Sequence, residues 1–111
     1  EFVQNFWENA FLRHDANDLL ALLQTWHDGD ISDNPSYGGD LDAALGAIKA
    51  RTIIMPGAYD SYFPPVDSQY EASRIAGAEC RVIDSIWGHM TLWNPADQPF
   101  IDAALAELLR D

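Results

Sequence analysis

The chain has few cations and little cysteine. Six lysines and arginines stand against 18 aspartates and glutamates in 111 residues, which gives a formal net charge of -12. Such a surface repels phosphate backbones and anionic lipid headgroups, so we expect neither nucleic acid nor a membrane surface as a partner. The single cysteine, Cys80, cannot form an internal disulfide. A chain without disulfides is typical of a reducing compartment, and we therefore expect a cytoplasmic protein.

Long apolar runs are also absent from the sequence. No stretch approaches the roughly 20 consecutive apolar residues that a membrane-spanning helix requires, and no signal peptide is recognisable. The chain begins with Glu1 rather than Met. We therefore expect either that its start has been processed or that it is an excerpt of a longer chain. Hydrophobic residues nevertheless make up 48% of the sequence, enough to form the core of one small domain.

Metal-binding patterns are missing as well. The spacing of the three histidines is not that of zinc ligands. Asp28, Asp30 and Asp33 form an acidic loop, but they have neither the spacing nor the closing glutamate of an EF-hand. We therefore expect no metal site and no bound cofactor.

The first part of the chain has a helical pattern. Apolar residues recur at intervals of three and four over residues 1–27, and Asp15 and Asn17 offer an N-cap for a second helix within that range. Residues 27–40 are rich in Gly, Asp, Asn and Ser and are predicted to be loop. A short helix is predicted from the cap Asp40 to Lys49.

After residue 50 the pattern becomes that of an α/β fold. Strands are predicted over Arg51–Met55 and Cys80–Asp84, a helix over Asp67–Ala76, and a last helix from residues 94–97 onward with its apolar residues turned inward. This order of elements predicts two parallel strands. Two strands leave sheet edges open, so we expect further strands in preceding sequence or in a partner chain.

Two ionisable residues follow the predicted strands. Asp60 lies in a turn after the first strand, and His89 comes directly after Gly88 beyond the second. Because the carboxyl ends of parallel strands meet at one edge of a sheet, the two side chains can hydrogen-bond. Such a pair is the acid and base of a nucleophile–His–acid triad, in which His89 moves protons and Asp60 orients the imidazole. Taken singly, Asp60 could cap its own turn and His89 could be a solvated structural residue.

The nucleophile of such a triad is missing from the chain. No Gly-x-Ser-x-Gly motif occurs, and none of the six serines has the small flanking residues of a nucleophile elbow. We therefore expect an N-terminal nucleophile-bearing portion, in the same gene product or a separate chain, and no activity from this chain alone. Trp87 is the best candidate to line a substrate pocket, and the other tryptophans are expected in the core.

Three segments resemble the α/β-hydrolase superfamily, specifically the C-terminal part of homoserine O-acetyltransferase-like proteins. They are DANDLLALLQTWHDGDIS, LDAALGAIKARTIIMPGAYDSYFPP and VIDSIWGHMTLW. The resemblance covers nearly the whole chain. It implies that residues 1–39 are a helical cap segment with its loop and that residues 40–111 are the C-terminal part of the hydrolase core. It also implies that Asp60, three residues before Phe63-Pro64, is the catalytic acid and that His89 is the base.

The resemblance implies acyl transfer on a serine nucleophile. One expectation is an ester-type hydrolase acting on a small-molecule ester or acyl substrate. The alternative is a homoserine O-acetyltransferase with acetyl-CoA as co-substrate. Met90 stands where the acetyltransferases tend to carry an aspartate, which favours the hydrolase. A homodimer is one candidate assembly. The remaining alternative is a non-catalytic interaction module.

Overall fold

The helices predicted for the first part of the chain are present in the structure, a computed structural model that describes residues 1–110. A π-helical turn at Val3–Glu8 continues into α1 (Asn9–Phe11), and α2 follows at Ala16–His27. Of the two candidate caps for α2, Asp15 is the N-cap, because its carboxylate accepts a hydrogen bond of 2.8 Å from the amide of Asn17. These helices lie in one of two structural units, which ends at Ile31.

Aromatic side chains of this first unit pack on one another. Ring centroids lie 5.3 Å apart between Phe2 and Phe6, and 5.9 Å apart between Trp7 and Phe11. None of the helical residues here is buried. The expectation that Trp7, Trp26 and Trp93 belong to a core is wrong within the described residues, because each is at least 43% exposed.

The second unit begins at Ser32 and carries the mixed helix–strand part of the chain. Its elements are, in order, α3 (Leu41–Gly46), β1 (Ile53–Ile54), α4 (Pro65–Arg74), β2 (Glu79–Cys80), a 3₁₀-helix (Gly88–Trp93) and α5 (Gln98–Leu108). Asp40 caps α3 as predicted, by accepting a hydrogen bond of 2.9 Å from the amide of Ala43. Residues 28–40 contain no helix or strand, which confirms the predicted loop.

Boundaries of α4 differ from the prediction by two residues at each end. The helix starts at Pro65 because proline is preorganised for the first helical position, where no amide donor is needed. It ends at Arg74, three residues before Gly77, whose φ of +76° suits glycine.

β1 and β2 are parallel, as the order of elements predicted. Ile53 pairs with Glu79, and hydrogen bonds continue the ladder beyond the regular strands. The amide of Ile83 donates to the carbonyl of Pro56, and the amide of Ala58 donates to the carbonyl of Ile83, both at 2.8 Å. The regular strands are shorter than predicted because each has a single neighbour among the described residues. A small parallel sheet with helices is compatible with part of an α/β fold.

The core of the second unit is small. Its fully buried apolar residues are Ala44, Leu45, Ile75, Ile83 and Ala104. The prediction that the whole apolar face of α5 turns inward is wrong for Phe100, Leu105 and Leu109, which are exposed. Among the apolar residues of this helix, Ala104 alone belongs to the buried core of the described residues. No helix within residues 1–110 is both long and apolar enough to cross a membrane.

A charged cluster joins β2 to α5. The guanidinium of Arg81 donates to Glu107 at 2.7 and 2.8 Å and to Glu79 at 2.8 and 3.0 Å. The hydrogen bonds from Arg81 lower the pKa of Glu107 below its ordinary value of 4.5. The last helix is therefore fixed to the sheet by a bidentate ion pair as well as by the burial of Ala104.

We expect Glu107→Gln in the full-length protein to lower Tm at pH 7 by about 1–3 °C, because this ion pair is partly exposed and screened. The lowered pKa of Glu107 stabilises the fold at pH values above 4.5, the ordinary pKa of a glutamate. That stabilisation is lost as the pH falls through the pKa of Glu107 in the folded protein. The difference between variant and wild type should therefore shrink below a pH of about 4. Asp102→Asn, an exposed change on the same helix, is the control for thermal unfolding. Equal Tm losses in the two variants would contradict a specific role for the ion pair.

Candidate active site

Asp60 is held in place by its own turn. Its Oδ1 accepts hydrogen bonds from the backbone amides of Tyr62 at 2.8 Å and Phe63 at 3.0 Å. This is the turn in which an aspartate caps the residues that follow it. The side chain is only 8% exposed. Both amides use Oδ1, so Oδ2 is left for a different partner.

His89 is the second residue of the 3₁₀-helix rather than part of a loop, which corrects the prediction. Gly88 has a φ of +53°, a conformation that glycine adopts without strain, and the chain winds directly after it. The hydroxyl of Thr91 donates to the carbonyl of Gly88 at 2.5 Å, and the amide of Met90 donates to the carbonyl of Trp87 at 2.9 Å. These short-range bonds give His89 a defined backbone.

The two predicted residues meet in the structure. Nδ1 of His89 lies 3.1 Å from Oδ2 of Asp60, across 29 residues of sequence. A carboxylate only accepts hydrogen bonds, so in the neutral imidazole this contact requires the proton on Nδ1 and leaves the lone pair on Nε2. Nε2 has no hydrogen-bond partner among residues 1–110. An oriented imidazole with a vacant basic nitrogen is the arrangement that general-base catalysis requires.

The environment of Asp60 keeps its carboxylate charged. Burial acts to raise the pKa of Asp60, but the amides of Phe63 and Tyr62 and the hydrogen bond from His89 outweigh it. The pKa therefore lies below its ordinary value of 3.8. Asp60 is ionised at neutral pH and can stabilise an imidazolium at His89.

A second His–Asp pair, His27 and Asp28, differs from the Asp60–His89 pair in its exposure to solvent. Nδ1 of His27 lies 2.9 Å from Oδ1 of Asp28, a comparable distance. Those side chains are adjacent in sequence and 80% and 61% exposed, against 41% for His89 and 8% for Asp60. Water screens the exposed pair, so only the Asp60–His89 pair combines a shielded carboxylate with an accessible imidazole.

Two glycines let the strand ends approach closely enough for this pair to form. A Cβ atom at Gly57 would lie 2.6 Å from the carbonyl oxygen of Gly88 and 2.8 Å from Oγ1 of Thr91. A Cβ atom at Gly88 would lie 2.7 Å from the carbonyl oxygen of Tyr59. Sequence reasoning missed the roles of Gly57 and Thr91. A glycine directly after a strand was the available signal for Gly57, and no signal marked Thr91.

A cavity of about 450 Å³ adjoins the pair. Asp60, Phe63 and His89 line it together with apolar strand residues and two further carboxylates, Asp67 and Glu71. No lysine or arginine is among its described lining residues. Trp87 does not line it either, and its role in a substrate pocket stays a prediction. Within residues 1–110 no group of three or more His, Cys, Asp or Glu side chains could hold a metal ion.

Known ester hydrolases are similar to almost the whole of this chain. It is 42% identical over 108 residues to a probable esterase of Corynebacterium glutamicum and 41% identical over 110 residues to an ethyl acetate hydrolase of Pseudomonas veronii. These alignments cover 96% and 97% of the chain but 30% and 31% of the relatives. The chain thus spans about 30% of the length of the curated relatives that it matches. No protein-family model matches it.

Solved structures give the same result. An acetylester hydrolase from Corynebacterium glutamicum superposes with a TM-score of 0.87, and the acetyl esterase MekB with 0.88. Both are 40% identical to this chain, which covers 31% of each. The similarity is to hydrolases; a likeness to homoserine acetyltransferases is not among these results.

We expect Gly57→Ala to destabilise the full-length protein by about 1–3 kcal/mol, because the added methyl group would overlap the carbonyl of Gly88 and the hydroxyl of Thr91. The measurement is urea unfolding. Gly46→Ala is the matched control, since its Cβ would meet nothing nearer than 3.8 Å. If both variants have the stability of wild type, the strand ends are not held in contact as described.

Proposed function

We propose that this chain supplies the acid and base of a serine-nucleophile ester hydrolase. Asp60 is the acid that orients the imidazole, and His89 is the general base. The observation that carries the proposal is the buried, amide-held carboxylate on Nδ1 of a histidine whose Nε2 has no partner among the described residues. Similarity of nearly the whole chain to ester hydrolases supports it.

In the proposed reaction, Nε2 of His89 takes the proton of a serine hydroxyl as the serine oxygen attacks the ester carbonyl carbon. The imidazolium then donates that proton to the leaving alkoxide as the ester C–O bond breaks, which gives the alcohol and an acyl-enzyme. Water next attacks the acyl carbon while His89 accepts a proton from it. Collapse of that intermediate returns the proton to serine and releases the carboxylic acid. Asp60 stays ionised throughout and stabilises the imidazolium.

The nucleophile and the oxyanion hole are proposed to lie outside this chain, in an N-terminal portion. None of the six serines is a hydrogen-bond partner of His89 in the described residues. Ser68 and Ser85 are buried, and the hydroxyl of Ser85 is occupied by the amide of Trp87. The chain covers about 30% of its relatives, which leaves room for both features in a protein of their length.

The negative charge near the site favours a neutral ester as the substrate over the anionic substrates of an acetyltransferase. Homoserine carries a carboxylate and acetyl-CoA carries phosphates, and both would need cationic partners. The cavity beside His89 has carboxylates and no cations among its described lining residues. An acetyltransferase would consume acetyl-CoA only in the presence of homoserine, whereas a hydrolase would release acetate from a neutral ester with water alone.

We expect His89→Ala in the full-length protein to lower kcat for p-nitrophenyl acetate hydrolysis by roughly 10⁴-fold or more, and Asp60→Asn to lower it by about 10⁴-fold. His27→Ala is the matched control, because it removes the exposed His–Asp pair. Thermal unfolding checks that each variant is folded. Wild-type turnover in folded His89→Ala would mean that His89 is a structural residue and would reject its role as the general base.

A fluorophosphonate probe should label the full-length protein at one serine, and peptide mass spectrometry should locate that serine outside these 111 residues. Labelling should depend on His89, since an alcohol without its base is a poor nucleophile. Modification of any of the six serines of this chain instead would contradict an external nucleophile.

A further inference from the structure

One hydrogen bond does not fix the orientation of an imidazole. The contact from Nδ1 of His89 to Asp60 holds a single atom of the ring at 3.1 Å, and the side chain is 41% exposed. The side chain has two torsions and this contact limits only one distance, so the ring can still swing about Oδ2 of Asp60, and that motion displaces Nε2. Proton transfer depends on the placement of Nε2 within a fraction of an ångström, so a further constraint is needed.

Two aromatic rings provide that constraint. The ring of Tyr62 lies 4.7 Å from the imidazole, centroid to centroid, with 46° between the planes. The ring of Phe63 lies at 5.4 Å with 42° between the planes. Both distances are within the range of favourable aromatic contacts. Their amides are the two donors to Oδ1 of Asp60, so one turn fixes the acid through its backbone and contacts the base through its side chains.

We propose that Tyr62 and Phe63 are positioning residues for His89. Their rings restrict the movement of the imidazole, so that Nε2 points toward the nucleophile. This inference rests on the proposed function, because it assigns the two residues an effect through the general base.

Neither aromatic ring lies in the buried core of the described residues. Tyr62 is 60% exposed and Phe63 is 51% exposed, so neither belongs to the core of the unit. Replacement of either ring by leucine leaves the backbone amides and their hydrogen bonds to Asp60 in place. Tyr59, which is 66% exposed in the same turn, has no ring contact with His89. It offers a matched control.

The test is steady-state kinetics of the full-length protein with ethyl acetate and p-nitrophenyl acetate. We expect Tyr62→Leu and Phe63→Leu each to lower kcat by about tenfold with little change in KM, because the rings act on proton transfer. In kcat/KM, which reports formation of the acyl-enzyme, the loss should be larger for ethyl acetate than for p-nitrophenyl acetate, because the ethoxide leaving group needs a proton from His89. Tyr62→Phe should restore wild-type kcat, and Tyr59→Leu should leave it unchanged.

Several outcomes would overturn the inference. They are a wild-type kcat in the Tyr62→Leu, Phe63→Leu double variant, an effect confined to KM, equal losses of kcat/KM on the two esters, and failure of Tyr62→Phe to restore activity. Should a leucine variant not fold, the ring-proton NMR shifts of His89 in the wild-type protein provide the second measurement: the neighbouring rings of Tyr62 and Phe63 should displace these shifts from those of a solvated histidine, and undisplaced shifts would overturn the inference. Unchanged activity in His89→Ala would reject the proposed function as well, whereas an inactive His89→Ala beside a fully active double variant would reject the positioning role alone.

Discussion

The close approach of two backbones at Gly57 and Gly88 is the constraint on which the rest of the site depends. Gly57 lies three residues after β1 and Gly88 begins the 3₁₀-helix, and neither position has room for a side chain. The parallel ladder between residues 52–58 and 79–83 brings the two segments to the same edge of the sheet. Contact between the glycines then sets the remaining distance, so that a carboxylate on one segment reaches an imidazole on the other.

Local interactions shape each of the two segments, and long-range interactions bring the segments together. The turn of Asp60 and the winding after Gly88 are both stabilised by bonds between residues two or three apart. Each segment can therefore take its shape independently. Only the ladder and the glycine contact relate the two segments. The second unit has few buried residues, but it can still hold Asp60 and His89 in a defined geometry, because that geometry depends on these local bonds more than on a large core.

The sequence predicted the pairing of Asp60 and His89 because strand order and the rule for carboxyl ends of parallel strands need no coordinates. Element types followed from periodicity, and the caps at Asp15 and Asp40 from residue chemistry. The 3₁₀-helix was missed, since its hydrogen bonds depend on the positive φ of Gly88 and on the hydroxyl of Thr91. Exposure of Phe100, Leu105 and Leu109 was missed too, because periodicity shows which face of a helix is apolar but not how much sheet covers it. The aromatic contacts on His89 depend on the turn geometry, which no sequence pattern specifies.

The turn at Asp60 has a consequence for how this site can change through mutation. Both donors to its Oδ1 are backbone amides, which every residue except proline possesses. Substitutions at positions 62 and 63, other than to proline, therefore keep the two hydrogen bonds that help to hold Asp60 ionised. The ring contacts to His89 at the same two positions have no such protection and vary with each substitution. Evolution can thus tune the mobility of the base while the ionisation of the acid stays fixed.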